Sequence, residues 1–423
     1  MKRNRMALFL LPMFVMAAST AWASGFRLPE AGAKAMGMGF AFTAQADDPS
    51  AIYFNPAGLT QLEGRNVMAG FSYVQLYGSK FEGVTPLTGG AVEYERQRTL
   101  QFVFPNAYFT SMHKDSGIAW GIGVFTPFGL SQKYQNRQTS IFRNQVTNIE
   151  LRTVVVNPTI AYKFNDYLSV GVGVDFMYGS AKLGQTAVLN TLMGQMNIFE
   201  LDLDGDGTAW GYNAGILLKP TSNLRIGASY RSPFDLKIKK GNASIRNPAG
   251  TASADGNAAV SIPATFAVGV AYTINRLTLE VDADWTLWSR YKSLPIYVNH
   301  PNIGKIDPEK NWKNSCALRF GAQYQVIDPL ALRLGVVYDP TPVPSETMGP
   351  ELPDSSRMNY MVGLGYKVGP VTFDWAFMYI SRRDRTVNNL SASTIPMTPP
   401  GSGFDGRWYG DAWLTGMNLT YNF

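Results

Sequence analysis

Glu280, Asp282 and Asp284 stand two residues apart, a spacing that puts three carboxylates on one face of an extended strand. Paired carboxylates do acid–base work when their surroundings drive their proton affinities apart. Arg319 and Arg333 fall on the inward positions of the next two alternating segments. A charge network filling an interior is therefore the better reading, because a buried charge needs a partner. Other chemistry is scarce. The chain holds two histidines, His113 and His300, and one cysteine, Cys316. Neither histidine shares a rim of the expected fold with a nucleophile motif, so no Ser–His hydrolase is expected. One cysteine allows no intrachain disulfide and no cysteine metal cage. Asp202, Asp204 and Asp206 with Gly207 resemble the first half of a calcium loop, but Asn213 stands where a bidentate glutamate belongs. They read as an acidic turn, with calcium as a weak alternative. The expectation is of no enzyme and no cofactor.

The elements that hold these side chains are legible in the period of the chain. Of 423 residues, 45% are hydrophobic, 16% charged and 13% aromatic, a folded rather than disordered composition. No stretch reaches the ~18 uninterrupted apolar residues of a membrane-crossing helix. Instead Leu330, Leu332, Leu334, Val336 and Tyr338 alternate with Ala331, Arg333, Gly335, Val337 and Asp339, and segments 168–178, 277–285 and 371–379 do likewise. Successive strand side chains face opposite ways, so each segment has one greasy and one small or polar face. Fourteen such segments are readable, near 66–78, 98–112, 117–126, 150–164, 167–181, 208–219, 223–232, 262–274, 276–292, 314–326, 330–340, 356–368, 371–382 and 408–423. Most are long enough for a tilted strand to cross a bilayer. Tight turns such as 165–166 and 369–370 alternate with long connections near 79–97, 127–149, 182–207, 233–261, 293–313, 341–355 and 383–407. Tight turns at one end, long loops at the other and aromatic residues at strand ends are how outer-membrane barrels are built. The pattern predicts an all-β fold, a 14-stranded antiparallel transmembrane β-barrel over residues 66–423. Cys316 shares parity with Leu318 and Phe320 and would face lipid, a poor place for a reactive thiol.

Lys2, Arg3 and Arg5 precede an apolar run from Met6 to Ala18, and Ala21-Trp22-Ala23 closes it. That layout predicts a cleavable signal peptide over 1–23 and a bacterial envelope protein. Residues 24–65 do not alternate. Asp48-Pro49 reads as the start of a short helix that Asn55-Pro56 ends. Met36, Met38, Phe40, Phe42 and Ile52 make this segment too apolar for a solvated tail, so it is expected inside the barrel as an N-terminal hatch. The net charge of +6 is too diffuse for nucleic acid.

Gly25-Phe26-Arg27, the run 32–37, and above all Ala46-Asp47-Asp48-Pro49-Ser50-Ala51 leading into Asn55-Pro56-Ala57-Gly58-Leu59 resemble the FadL/TodX family. These are outer-membrane transporters of long-chain fatty acids and aromatic hydrocarbons. Further matches lie at 125–129, 230–232, 285–289 and 352–357, so the resemblance spans the mature chain in order. It implies hatch positions Asp47, Asp48, Asn55, Pro56 and Ala57, passive movement of hydrophobic small molecules, and release sideways through a gap in the third strand. Long-chain fatty acids are the expected cargo, with mono-aromatic hydrocarbons as the alternative. A structural or adhesive barrel without a ligand is the different class, and its loops would be polar.

Several residues carry these expectations. Val188, Leu189, Leu192, Met193, Met196 and Phe199 fit one face of a helix in the third long loop, a surface for hydrophobic capture. Met36, Met38, Met177, Met361 and Met378 fall inward, either as an apolar lumen track or as packing against the hatch. Gly121, Gly123 and Pro127 mark the third strand as a lateral gate, since glycine weakens a strand and proline cannot donate to a ladder; close packing of the hatch is the other reading of the glycines. Arg143 and Lys182 are head-group candidates for a carboxylate. Lipopolysaccharide phosphates are the competing partner for rim cations, Lys237, Lys239 and Lys240 included. A monomer is expected.

Overall fold

The structure, a computed structural model, describes residues 25–301, 303–391 and 400–423; the expected leader lies outside the described residues. Fourteen strands make the wall: Arg65–Leu76, Leu100–His113, a third in two segments (Ile118–Phe125 and Gly129–Lys133), Asn148–Lys163, Leu168–Thr191, Gly194–Leu218, a seventh (Leu224–Arg231 and Phe234–Asn247), an eighth (Gly250–Ile262 and Thr265–Ile274), Leu277–Thr286, Ser315–Ile327, Leu330–Asp339, Arg357–Val368, Val371–Arg382 and Ala412–Asn422. Neighbours pair antiparallel in chain order, and the last strand pairs back onto the first from Asn66↔Asn422 to Leu76↔Ala412. Closure leaves the ring without an edge strand, which a bilayer requires.

The two faces sort by polarity in the sense expected of lipid. Val172, Val174, Tyr212, Val281, Leu318 and Leu334 are exposed on the outer face, whereas Asn157, Asn213, Asp282, Arg319 and Asn418 are buried on the inner one. A greasy outside around a polar inside inverts the arrangement of a soluble protein.

Two expected loops are strands. The fifth and sixth strands form one hairpin, paired from Leu168↔Leu218 to Thr191↔Gly194 with a bulge at Ala187/Val188. At ~3.3 Å per residue its 24-residue arm extends roughly 80 Å, far more than a bilayer core. The stretch 182–207 is therefore ladder rather than loop or helix. Residues 234–247 and 250–262 likewise form a hairpin where the connection 233–261 was expected. The first and last long connections meet in a separate four-stranded sheet of Lys80–Val84, Glu93–Arg96, Arg385–Asn388 and Asp405–Tyr409. Phe81, Phe142, Phe404 and Trp408 form its buried aromatic core.

Residues 25–64 run inside the ring. They hold two short helices, Ala33–Gly37 and Ala51–Phe54, and a 3-10 turn, Pro56–Gln61. Wall carboxylates cap this irregular backbone. Asp282 accepts from the amides of Phe42 and Thr43 at 3.0 Å each, and Glu280 from Ala44 at 2.7 Å and Gln45 at 2.9 Å. Across the lumen Asn418 accepts from Ala33 at 2.7 Å, and Asn55 donates to the Ile216 carbonyl at 3.0 Å. Where backbones meet, only glycine fits: a Cβ at Gly335 would lie 2.1 Å from the Gly39 nitrogen.

Candidate functional site

The ladder between the second and third strands is interrupted. Second and third strands pair from His113↔Ile118 to Ala107↔Val124, and the pairing stops there. It resumes only at Gln97↔Tyr134, where the Arg98 amide donates to the Lys133 carbonyl at 2.7 Å. Between these points Gly129–Lys133 pairs only with the fourth strand, and 100–106 only with the first. The result is a window in the ladder, edged by 100–106 and 126–132.

Pro127 sits at its lower corner, as its missing N–H demands. The backbone there is satisfied from within: Leu28 donates to the Pro127 carbonyl at 2.8 Å, and Gly129 donates to the Phe26 carbonyl at 2.9 Å. Thr153 adds a bond from its hydroxyl to the Phe128 carbonyl at 2.6 Å. Gly121 and Gly123 are not part of the break. They lie in the fully paired segment, where a Cβ would meet Ile52 at 3.0 Å from either position. Their place is close approach to the lumenal segment, and of the three residues expected at a lateral gate only Pro127 lies at the break.

Behind the window lies a cavity of about 470 Å³, reaching from Phe102 and Phe104 on one edge to Leu130 on the other, with Phe26 and Met378 on its walls. That volume suits a small-molecule ligand. A second cavity, about 80 Å³, lies between the long hairpins and shares Phe26, Leu130, Glu150 and Leu151 with the first. Its walls are aliphatic side chains such as Ile149, Leu183, Leu203 and Ile238, with Lys182 at hand. The two cavities adjoin at the four residues they share.

The expected site residues distribute unevenly. All five methionines are buried, but of these only Met378 lines the larger cavity; Met36 and Met38 pack against wall glycines. The capture face dissolves, because 188–199 is a hairpin. Val188 is buried, Leu189 and Phe199 are half-buried, and Leu192, Met193 and Met196 stand exposed around the turn at Gly194. Arg143 is no free cation: its Nε reaches Asn197 at 2.9 Å, and its guanidinium nitrogens reach Gln195 at 2.9 Å and the Ser140 carbonyl at 3.0 Å. It staples the second long connection to the hairpin. Lys182 is exposed and in register between Glu150 and Asp204. Asp202, Asp204 and Asp206 share one face of a strand, which corrects both the expected acidic turn and its calcium-loop alternative, and Asp202 is held by Arg137 at 2.7 Å. Among the described residues no acidic, His and Cys cluster could hold a metal. Asp48 accepts from the Ser50 amide at 2.8 Å, Asp47 pairs with Lys34 at 2.9 Å, and Asn55 accepts from the Ala57 amide at 3.1 Å; these bonds and Asn55's reach to the wall fold the 47–57 segment.

Comparison with known proteins agrees with this architecture. The chain is 25% identical to the long-chain fatty acid transport protein of Escherichia coli O6:H1 over 95% of both chains, and 23% identical to that of Salmonella typhi over 95% of both. Among solved structures, a Pseudomonas aeruginosa FadL homologue superposes with a TM-score of 0.81 at 21% identity, covering 95% of this chain and 100% of that one. The Pseudomonas putida toluene transporter TodX superposes at 0.70 and 18% identity, covering 93% and 98%. The family described as outer membrane protein transport protein (OMPP1/FadL/TodX) matches residues 14–423, and with a closed lipid-facing barrel on the page the chain belongs to that family, as an outer-membrane transport barrel and not an enzyme.

Proposed function

We propose that this barrel carries long-chain fatty acids passively across the outer membrane and releases them sideways. Cargo enters between the long hairpins, beside Lys182, and passes into the larger cavity. Residues 25–64 act as a hatch that blocks the direct route to the short-turn end. The observation that carries the reading is the coincidence of the 470 Å³ cavity with the window in the ladder. An apolar chain gains nothing from water, since burying each CH₂ is worth ~0.8 kcal/mol, and an intact wall is sealed by its hydrogen bonds. A break facing lipid keeps the chain out of water throughout. The aliphatic lining of the second cavity also weighs against a ligand-free adhesive barrel. In this reading the barrel works alone, and the exposed Lys237 and Lys239 meet lipopolysaccharide phosphates.

A fatty acid bearing a photoreactive group at its tail tests the path. Labelling of Phe102, Phe104 and Leu130 during uptake is expected. Labelling confined to the short-turn end, or uptake unchanged once the window has been bridged by a cross-link, would reject sideways release. Mono-aromatic hydrocarbons are the second reading of the cargo, and competition by toluene against the labelled acid separates the two.

A further inference from the structure

One wall of the larger cavity is lined by charged and polar side chains. There Arg319, Asp339, Arg357 and Asn359 project from the tenth to twelfth strands, and Glu30 from the lumenal segment. Register places Arg319 opposite Val337 and Val337 opposite Asn359, with Asp339 opposite Arg357 two residues along. Most of their valences are already used. Arg319 holds Asp284 at 2.7 Å and the Phe40 carbonyl at 3.2 Å, and Arg357 holds Asp339 at 2.7 Å. One donor and two acceptors are left over. Arg319 Nε, Glu30 Oε2 and Asn359 Oδ1 are buried without a hydrogen-bond partner in the protein, on residues only 6%, 8% and 5% exposed.

A bare hydrocarbon would leave all three unpaired, at a cost of about 1–3 kcal/mol each. The formal charges at this wall already cancel: Arg27, Arg319 and Arg357 against Asp284, Asp339 and Glu30. Across the cavity Glu150 and Arg152 pair with each other at 2.7 Å. An added carboxylate therefore finds no free counter-charge and faces Glu30, and two carboxyl groups at one site share a proton.

On the transport reading above, we propose that this wall is a head-group subsite for a long-chain carboxylic acid, whose carboxyl shares one proton with the carboxyl of Glu30. The balance is simple. A carboxylate arriving from water takes up one proton on binding, the new O–H donates to a Glu30 oxygen, and Arg319 Nε donates to the ligand's other oxygen. Burial already lifts the Glu30 carboxyl to about 7, against the pull of Arg357 and Arg319, so a proton is at hand near neutrality. An acid leaving through the window with the proton enters lipid uncharged.

The test is calorimetry on the full barrel in lipid nanodiscs near pH 8, in buffers of different ionisation enthalpy. The probes are decanoate, 1-decanol and decane. Decanoate is expected to take up about one proton per molecule, decanol none, and decane to bind at least ~10-fold more weakly than decanol. In Glu30→Gln the proton uptake should vanish, because no carboxyl is left to share the proton. Decanoate binding without proton uptake, or the same uptake in Glu30→Gln, overturns the proposal. So does decane binding as tightly as decanol, which would mean that water alone satisfies the wall. If Glu30→Gln fails to assemble, the contrast between decanoate and decanol on the unaltered protein decides. Failure of all three probes to bind would instead sink the transport reading.

Discussion

Glu280→Ala removes the acceptor for two consecutive hatch amides, Ala44 at 2.7 Å and Gln45 at 2.9 Å, while leaving the barrel ladder of its strand intact. Hydrogen bonds to a carboxyl contribute about 0.5–1.5 kcal/mol each when it is neutral and about 1.5–3 when it is ionised, so the pair is worth about 1–6 kcal/mol locally. Part of that is returned, because Asp282 on the same face is relieved of a like charge. A net loss of about 3 kcal/mol raises the open population of this turn roughly 100-fold. Hydrogen exchange read by mass spectrometry on peptides covering 42–46 should speed up by that factor, with wall peptides unchanged. Glu280→Gln, which keeps one acceptor oxygen, should fall between at roughly 10-fold. Single-channel conductance in planar bilayers should show flickering openings absent from the unaltered protein. If exchange at 42–46 stays within ~2-fold of the original, which corresponds to well under 1 kcal/mol, these carboxylates do not hold the segment and the reasoning fails.

Glu30 makes stability depend on pH with a definite sign. Its folded carboxyl is raised to about 7 from an ordinary 4.5, so its contribution is full below 4.5 and lost as pH rises through 7. The total is about 3 kcal/mol, and thermal melts of Glu30→Gln should lack that part of the decline. Arg143→Ala should raise protease sensitivity near residues 136–146 and leave fatty-acid affinity unchanged, because its donors serve Asn197, Gln195 and Ser140. Gly123→Val puts a side chain where a Cβ already lies 2.8 Å from the Tyr108 ring and 3.0 Å from Ile52. Overpacking of that kind costs about 1–3 kcal/mol, read as a lower yield of heat-resistant folded barrel on gels rather than as blocked uptake by a folded one.

The wall was legible because lipid imposes apolar residues at every second position: Leu330 to Tyr338 and Leu168 to Tyr178 face outward as their parity requires. Beyond the bilayer that demand lapses. In the upper hairpin Thr186 is buried while Leu192 and Met193 are exposed, so hydrophobicity no longer reports the pleat. An apolar set there matched a helical period by chance. Gly194, at φ +116, occupies the turn that joins the two strands, and a glycine inside the supposed helix was the one signal against it. The carboxylates 280, 282 and 284 were legible as a buried network, but their partners, backbone amides some 240 residues away, carry no side-chain signature. Glu30 and Asn359 escaped notice for the same reason. Each is ordinary in its local sequence, and only the fold brings them to one cavity.

Proline at 127 explains where the ladder breaks, but a break alone exposes unpaired amides and carbonyls to lipid at several kcal/mol per group. Here the cost is limited by residues 26–28 of the lumenal segment. Phe26 and Leu28 bond to Gly129 and Pro127 in place of the missing second strand, and Arg27 anchors that stretch through Asp284 at 2.6 Å. The same stretch, 25–30, forms one side of the large cavity. A ligand that displaces Phe26 therefore disturbs two things at once, the packing that fills the cavity and the hydrogen bonds that stabilise the window's corner. Cavity, window and lumenal segment meet at three residues, Phe26, Arg27 and Leu28.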